Sequence, residues 1–517
     1  MKPATFLKST LILTIATLLS KLLGSLFRVP LQNIAGDEVL GIFSLVYPVY
    51  MVALILSVAG IPIAISKLIA EARSTGTEAD IFHIRKTARI LALLLGISGT
   101  GLLLVFSEPL SQMIGGSSTR PSLIIISFTL MIAPYMAVDR GYFQGFEDMR
   151  PTAISQVLEQ FVRVIFLLFI AYTLANSAFS NSIVAGGVMV GSTLGVLASL
   201  VYLKFHLSRS DFEIKNGYPY HWPQFKYWGK KILSVSIPIA IGTLTMALFN
   251  VVDSLTVPGN LQGLHEEKDI TFLYGIYGRG LALVQIATVF ATSVILPLIP
   301  SLTKSMKDGK LNETRNLIEG TRWLTHTLAW PLAVLLLVLT IPINMTLFTD
   351  TQGSLTIGIM NISTIFISLT LVGTAVLQGL NISRTAAFII VAGALMKGVF
   401  NFLLVPAYGI EGAAIGTLLT YIAIVAINTY MIHKTIRIPW IPPHFFKVVT
   451  LSLFLGGLTS SFYLFTQPLE WERLVSLCVV LFTSLFYMIL FIVCLFKWKA
   501  IDQRMVDQIP FLSKFTR

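Results

Sequence analysis

Apolar residues run along this chain in blocks of about twenty, the length an α-helix needs to cross the hydrocarbon core of a bilayer. The blocks fall at about 6–28, 40–66, 87–107, 121–144, 154–175, 182–204 and 232–257. Seven more fall at about 271–299, 323–343, 354–380, 386–405, 412–432, 447–466 and 474–496. The pattern predicts an all-α polytopic membrane protein with fourteen transmembrane helices. The first block reads as a span and not a cleaved leader, because it is long, contains Lys21 and runs into "LFRVP", which is no small-residue cleavage site.

The polar segments between blocks repeat. "YFQGFEDMRPTAI" at 142–154 returns as "VLQGLNISRTAAF" at 376–388. A shift of 234 residues lays Gln144 on Gln378, Gly145 on Gly379 and Arg150 on Arg384. Under the same shift "LGIFSLVYP" at 40–48 meets "YGIYGRGLA" at 274–282; "GGVMVGS" in the sixth block resembles "EGAAIGT" in the twelfth at a shift of 225. Such periodicity means a structural unit written twice. Six spans per copy is an even number, so both copies enter the membrane from the same side, a transporter plan with its site at the repeat interface. The predicted organisation is an N-terminal lobe at 1–210, a basic cytoplasmic linker at 211–231 and a second lobe at 232–435. Two unpartnered helices and a cytoplasmic tail follow at 436–517. The repeated turn reads as architecture: Gly145 and Gly379 end helices and Pro151 sits in the first turn of the next.

Composition agrees with the spans and adds polarity. The chain has 517 residues, 55% of them hydrophobic and only 12% charged, with mean hydropathy +0.79; soluble chains carry roughly 25% charged residues. The net charge of +12 would suggest a nucleic-acid partner. However, 28 of the 37 Lys and Arg residues fall in alternate connections and at the two ends, so the excess follows the positive-inside rule. Both termini are thereby expected in the cytoplasm, with the chain in the cytoplasmic membrane. Cys478 and Cys494 lie sixteen residues apart on one predicted helix, about 24 Å, too far to pair.

Topology leaves six cations inside spans: Lys21, Arg28, Arg140, Arg163, Arg279 and Lys397. The acidic residues there are Asp139, Glu159 and Asp253. A charge at a helix centre costs about 2.5–3.5 kcal/mol on insertion scales, so it should face a cavity or a partner. Arg140 and Asp139 lie near a helix end and can snorkel; Glu159 and Arg163 are spaced to pair along one helix. Lys21, Arg279 and Lys397 have no acidic neighbour at helical spacing, and Lys397 is the repeat-mate of Arg163. Asp253 is expected to be a counter-ion or a coupling site. A surplus of buried cation favours an anionic cargo, and Arg and Lys are the usual phosphate partners.

Enzyme readings find no support. His265 beside Glu266 and Glu267 lacks a zinc spacing, there is no phosphate loop, and "GIYGRG" lies inside a span. No metal and no cofactor is expected. A multidrug exporter should carry more carboxylates in its cavity, and a pure scaffold leaves the interior cations unexplained.

The segments 10–71, "RGYFQGFEDMRPTAISQVLEQFVRVI" and "YGIYGRGLALVQIATVFATS" resemble the polysaccharide-biosynthesis branch of the multidrug/oligosaccharidyl-lipid/polysaccharide (MOP) flippase superfamily. The likeness is to the stage V sporulation protein B group and the MurJ-like proteins, and it covers nearly the whole chain. The resemblance implies two pseudo-symmetric six-helix lobes plus two C-terminal helices, in a MATE-like plan. It also implies alternating access and an undecaprenyl-diphosphate-linked sugar as cargo, typically lipid II. Arg28 and Arg279 match basic positions that line the central cavity in MurJ-like relatives, and Lys21 stands for an arginine. Lys21, Arg28 and Arg279 are thus the expected diphosphate ligands, assisted by Arg163 and Lys397, with Asp253 and Glu159 as coupling or counter-ion groups. Two charged positions of the Gram-negative branch appear here as Gly41 and about Leu54, which leaves the head group open. Membrane potential, H+ or Na+ could drive the cycle, cell-wall synthases are the candidate protein partners, and other polysaccharide-linked lipids or drugs are the alternative cargo.

Overall fold

A computed structural model describes residues 3–498 apart from 59, 76, 211, 213, 215, 216 and 467–470. The tail with Lys499, Arg504, Lys514 and Arg517, and parts of the basic linker, lie outside the described residues. The chain forms α1 (Pro3–Leu26), α2 (Arg28–Val58), α3 (Ile61–Thr75), α4 (Glu78–Val105), α5 (Ser107–Met113) and α6 (Arg120–Gly145). Next come α7 (Arg150–Asn176), α8 (Asn181–Ser208), α9 (Trp222–Thr243), α10 (Thr245–Leu261), α11 (Glu267–Ala287) and α12 (Val289–Lys307). The rest are α13 (Leu311–Val338), α14 (Thr340–Phe348), α15 (Ser354–Gly379), α16 (Ser383–Ile436), α17 (Phe445–Thr466) and α18 (Arg473–Lys497). Helices keep every backbone hydrogen bond inside the segment, which a lipid environment demands.

Eleven described stretches are long and apolar enough to cross a membrane. Fourteen spans are consistent with that number. Ile12–Ser74 is 63 residues and Ser383–Ile436 is 54, so each holds two of the expected spans. The helical φ/ψ pattern breaks inside them at Gly36 (φ 82°) and Gly409 (φ 59°), where only glycine turns the chain without strain. The expected span at 232–257 is interrupted at Leu244, between α9 and α10.

Packing divides the chain into two compact units, Met1–Gly275 and Ile276–Arg517. The repeats place the second copy from 232; packing places α9 and α10 with the first unit because they lie against α2, α3 and α4. In the first unit one core joins Ile65, Ile84, Ala137, Tyr142 and Ile232. A second joins Leu31, Phe43, Ile126, Leu167 and Val188. In the second unit Leu339, Ile357, Val448 and Tyr487 bind α17 and α18 onto α13–α15. Only 17% of the apolar window of α7 is buried and 67% of that of α15, so α7 shows its apolar surface to lipid and α15 is a core helix.

The repeated turn has the same backbone in both copies. α6 ends at Gly145 and α15 at Gly379. Glu147 (φ 64°) and its repeat-mate Asn381 (φ 62°) are both left-handed. Asp148 N–H donates to Phe143 O at 3.1 Å, and Ile382 N–H donates to Leu377 O at 3.0 Å, again one shift of 234 apart. These bonds satisfy carbonyls that the helix end leaves open.

A second pair of mates meets directly. A Cβ on Gly41 would strike the carbonyl oxygen of Thr271 and lie 2.9 Å from Gly275 N; one on Gly275 would strike the carbonyl oxygen of Asp37. Thr271 is the mate of Asp37 under the same shift. α2 and α11 therefore cross backbone on backbone, as small residues allow in membrane helices.

Candidate functional site

The charged side chains of the first unit sort into three groups. Asp139 is fully buried and forms an ion pair with Arg89 at 3.0 Å, Lys204 at 3.4 Å and Arg85 at 4.0 Å, tying α6 to α4 and α8. It does not snorkel. Arg140 donates to Glu159 at 2.7 Å, to Ser155 at 2.9 Å and to Ser199 at 3.0 Å. Glu159 thus pairs across to α6, not with Arg163 one turn away as helical spacing suggests. A carboxylate that reaches a neighbouring helix at ion-pair distance gains more than an exposed i, i+4 pair supplies.

The third group is a pair of arginines. Arg28 is 7% exposed and Arg163 is 6% exposed. The Arg163 guanidinium lies over the Tyr47 ring at 4.9 Å and the Phe27 ring at 5.6 Å, and donates one hydrogen bond, to Tyr47 Oη at 3.1 Å. Its Nε and Nη2 atoms and the Nε atom of Arg28 are buried with no protein acceptor. Among the described residues neither arginine forms an ion pair. The two are close enough for their charges to repel. Tyr274 lies within the fields of both Arg28 and Asp253, and its hydroxyl is 3.5 Å from Ser254 Oγ. Asp253 itself is 1% exposed. Lys21 is exposed on α1, which leans on α7 through Thr17 and Gln156 at 3.1 Å. These placements bring Arg28, Arg163 and Asp253 into one neighbourhood of the first unit.

In the second unit Arg279 is fully buried. The expectation that it lacks an acidic partner is corrected: its guanidinium grips Asp350 through both oxygens, at 2.6 and 2.8 Å, with Asn344 Oδ1 at 3.2 Å and the Phe348 ring at 5.2 Å. Asp350 lies in the connection between α14 and α15, beyond the reach of helical spacing. Left-handed Thr349 and Gly353 curl that connection around the guanidinium, and Asn344 donates to Gln352 O at 2.8 Å. Burial pushes the Asp350 carboxyl up, but hydrogen bonds from Arg279 and Gln352 N–H and the guanidinium charge outweigh it, so the group stays below its ordinary value. Lys397 is 1% exposed on α16, one turn from Asn401. Sequence reasoning missed Asp350 and Tyr47. The signal for Asp350 was present: it is the single Asp, Glu, Lys or Arg between Arg322 and Arg384.

Two helical units, broken spans and buried basic side chains define a multi-pass membrane protein. The chain belongs to the family described as polysaccharide biosynthesis protein, whose model matches residues 6–306. It is 29% identical over 466 residues to stage V sporulation protein B of Bacillus subtilis (strain 168), covering 85% of each chain. It is 26% identical over 451 residues to lipid II flippase MurJ of the same organism, covering 83% of this chain and 82% of the relative. Its fold is that of the MOP superfamily. It matches lipid II flippase MurJ in an inward closed conformation with TM-score 0.66 at 16% identity, over 94% of this chain and 100% of that one. An inward-facing MATE family multidrug transporter matches with TM-score 0.64 at 16% identity, over 84% and 98%. The chain is thus a homologue of lipid II flippase MurJ and of stage V sporulation protein B. A side chain at position 41 has no room here, because the backbone of α11 occupies its place.

Proposed function

We propose that this protein flips an undecaprenyl-diphosphate-linked sugar, with lipid II as the first candidate, across the cytoplasmic membrane by alternating access. The carrying observation is the Arg28–Arg163 pair: two buried guanidiniums with three nitrogens that find no protein acceptor and, among the described residues, no ion pair. Buried unpaired cations are costly, and a diphosphate supplies both the charge and the acceptors that would offset them. Tyr47 and Phe27 hold Arg163 by its face, which leaves its edge for oxygen. Arg279, already held by Asp350, joins the cargo only by exchanging that carboxylate for phosphate; Lys21 and Lys397 remain as assisting cations. The protein works as a transporter without a cofactor, its termini in the cytoplasm and its cargo handed to wall or capsule synthases. Membrane potential, at about 2.3 kcal/mol per charge per 100 mV, or H+ or Na+ at Asp253, resets the cycle.

The test is lipid II exposure at the outer leaflet of cells depleted of this protein and its paralogues. Wild type should restore exposure. Arg163→Gln should lower it at least tenfold at equal protein level, and Arg163→Lys should recover part. Exposure unchanged by depletion would remove lipid II as cargo and bring forward a capsule- or teichoic-type sugar lipid.

A further inference from the structure

Outside the Arg28–Arg163 neighbourhood, the first unit carries an open groove of ≈ 630 Å³ between α4 and α9. Its apolar walls are Leu91, Phe225, Leu233 and Ile237, and two lysines, Lys226 and Lys230, line it as well. The layout follows from the sequence of α9, "WPQFKYWGKKILSVSIPIAIGT". Lys226, Lys230, Ser234 and Ile237 fall at i, i+4, i+8 and i+11, one stripe that is basic in its first two turns and apolar toward its end. Trp222, Phe225 and Tyr227 lie on the same turns of α9 as the lysines, and Trp228 turns into the core. Lys231 lies over the Tyr227 and Trp228 rings at 4.4 and 4.9 Å. Such a mixture of aromatic rings and lysines marks the headgroup level of a membrane.

Gly229 forms the floor. A Cβ there would reach Thr87 and Leu91 of α4 at 3.8 and 3.9 Å, so the absent side chain leaves the space between the helices open. From Lys226 to Pro238 the stripe runs about 18 Å at 1.5 Å per residue, a little over half of the ~30 Å hydrocarbon core. That is the depth of one leaflet.

We propose that this groove is a binding site for an anionic glycerophospholipid of the leaflet bordering the basic linker. One acyl chain lies along the apolar stripe, and the phosphate sits between the Lys226 and Lys230 ammonium groups. Charge decides the head group: among the described residues no acidic side chain lines the groove, so a zwitterionic lipid would set its own cation against two lysines. Length decides the tail, since a much longer undecaprenyl chain would overrun the stripe. The groove shares no residue with the Arg28–Arg163 pair, so this lipid is a resident of the fold and not the cargo. Basic pockets between membrane helices on the positive side hold acidic lipid head groups by the same physics.

The experiment is native mass spectrometry of the full-length protein in neutral detergent, titrated with phosphatidylglycerol, phosphatidylcholine, undecaprenyl phosphate or inorganic phosphate. Wild type should bind one phosphatidylglycerol more tightly than phosphatidylcholine. Lys226→Ala with Lys230→Ala should weaken phosphatidylglycerol about thirty-fold and leave phosphatidylcholine unchanged. Ser234→Trp, which fills the groove from its exposed side, should weaken both lipids; if that variant does not fold, the lysine pair decides alone. Equal binding of the two lipids, unmoved by the lysine substitutions, would overturn the proposal as adsorption of detergent-belt lipid. Displacement of phosphatidylglycerol by an equal concentration of undecaprenyl phosphate would overturn it in favour of the cargo, and displacement by inorganic phosphate would overturn the acyl-chain half.

Discussion

Replacing Asp350 with Asn tests whether the fully buried Arg279 depends on a carboxylate 71 positions away. Breaking a buried ion pair by removing one partner costs about 3–5 kcal/mol when both groups are dry. Here only one is: Arg279 is 0% exposed while the Asp350 side chain is 36% exposed, so water screens the acidic half of the pair. Discounted for that screening, the expected loss is about 1–2 kcal/mol. Asn keeps the shape and one acceptor, which isolates the charge. The assay is denaturant or thermal unfolding of the purified protein, run as a cycle of Asp350→Asn, Arg279→Gln and the double variant. A coupling of about 1–2 kcal/mol is expected. The same pairing sets the sign of the pH dependence. A carboxyl held below its unfolded value contributes stability that is present above the ordinary carboxylate pKa and lost as pH falls through the lowered one. Wild type should therefore lose stability on acidification below about pH 4, and Asp350→Asn should lose less. Additive single variants, with no difference in acid sensitivity, would refute the reasoning.

Four further outcomes follow from the geometry. Asp139→Asn should cost about 3 kcal/mol or more in unfolding free energy, because Arg85, Arg89 and Lys204 then crowd one site with no carboxylate. A double-variant cycle should couple Glu159 to Arg140, which it meets at 2.7 Å, by about 1–2 kcal/mol. The same cycle with Arg163 should give under about 0.5 kcal/mol. Gly41→Val and Gly275→Val should lose folded yield on size-exclusion chromatography, whereas Gly101→Ala, with nothing within 4 Å of the new Cβ, should not. Glu147→Asn should stabilise by about 0.5–1 kcal/mol in a thermal melt, since Glu147 holds φ 64°.

What could be read before folding was whatever the backbone writes locally. The 142–154 and 376–388 segments announce their turn because glycine and a left-handed residue are needed at fixed offsets from a helix end, and the turn appears twice as expected. Span lengths were legible for the same reason. Partners were not. Helical spacing offers Arg163 to Glu159, but α6 brings Arg140 closer, and only packing decides between them. Arg279 looked unpaired because its carboxylate sits in a connection, where spacing rules say nothing. The boundary between packed units was equally hidden: 232 follows from repetition, while Gly275 follows from which faces α9 and α10 bury.

The crossing of α2 and α11 is a seam made without side chains. Gly41 admits the carbonyl of Thr271 and Gly275 that of Asp37, each one turn before the other glycine, so the gap is set by two backbones and by nothing that can change rotamer. Sequence drift in the flanking residues leaves such a seam untouched, while a single methyl at either glycine wedges it open. A junction of that kind behaves as a hard stop: it holds its spacing until it parts, and it has no partly engaged position in between.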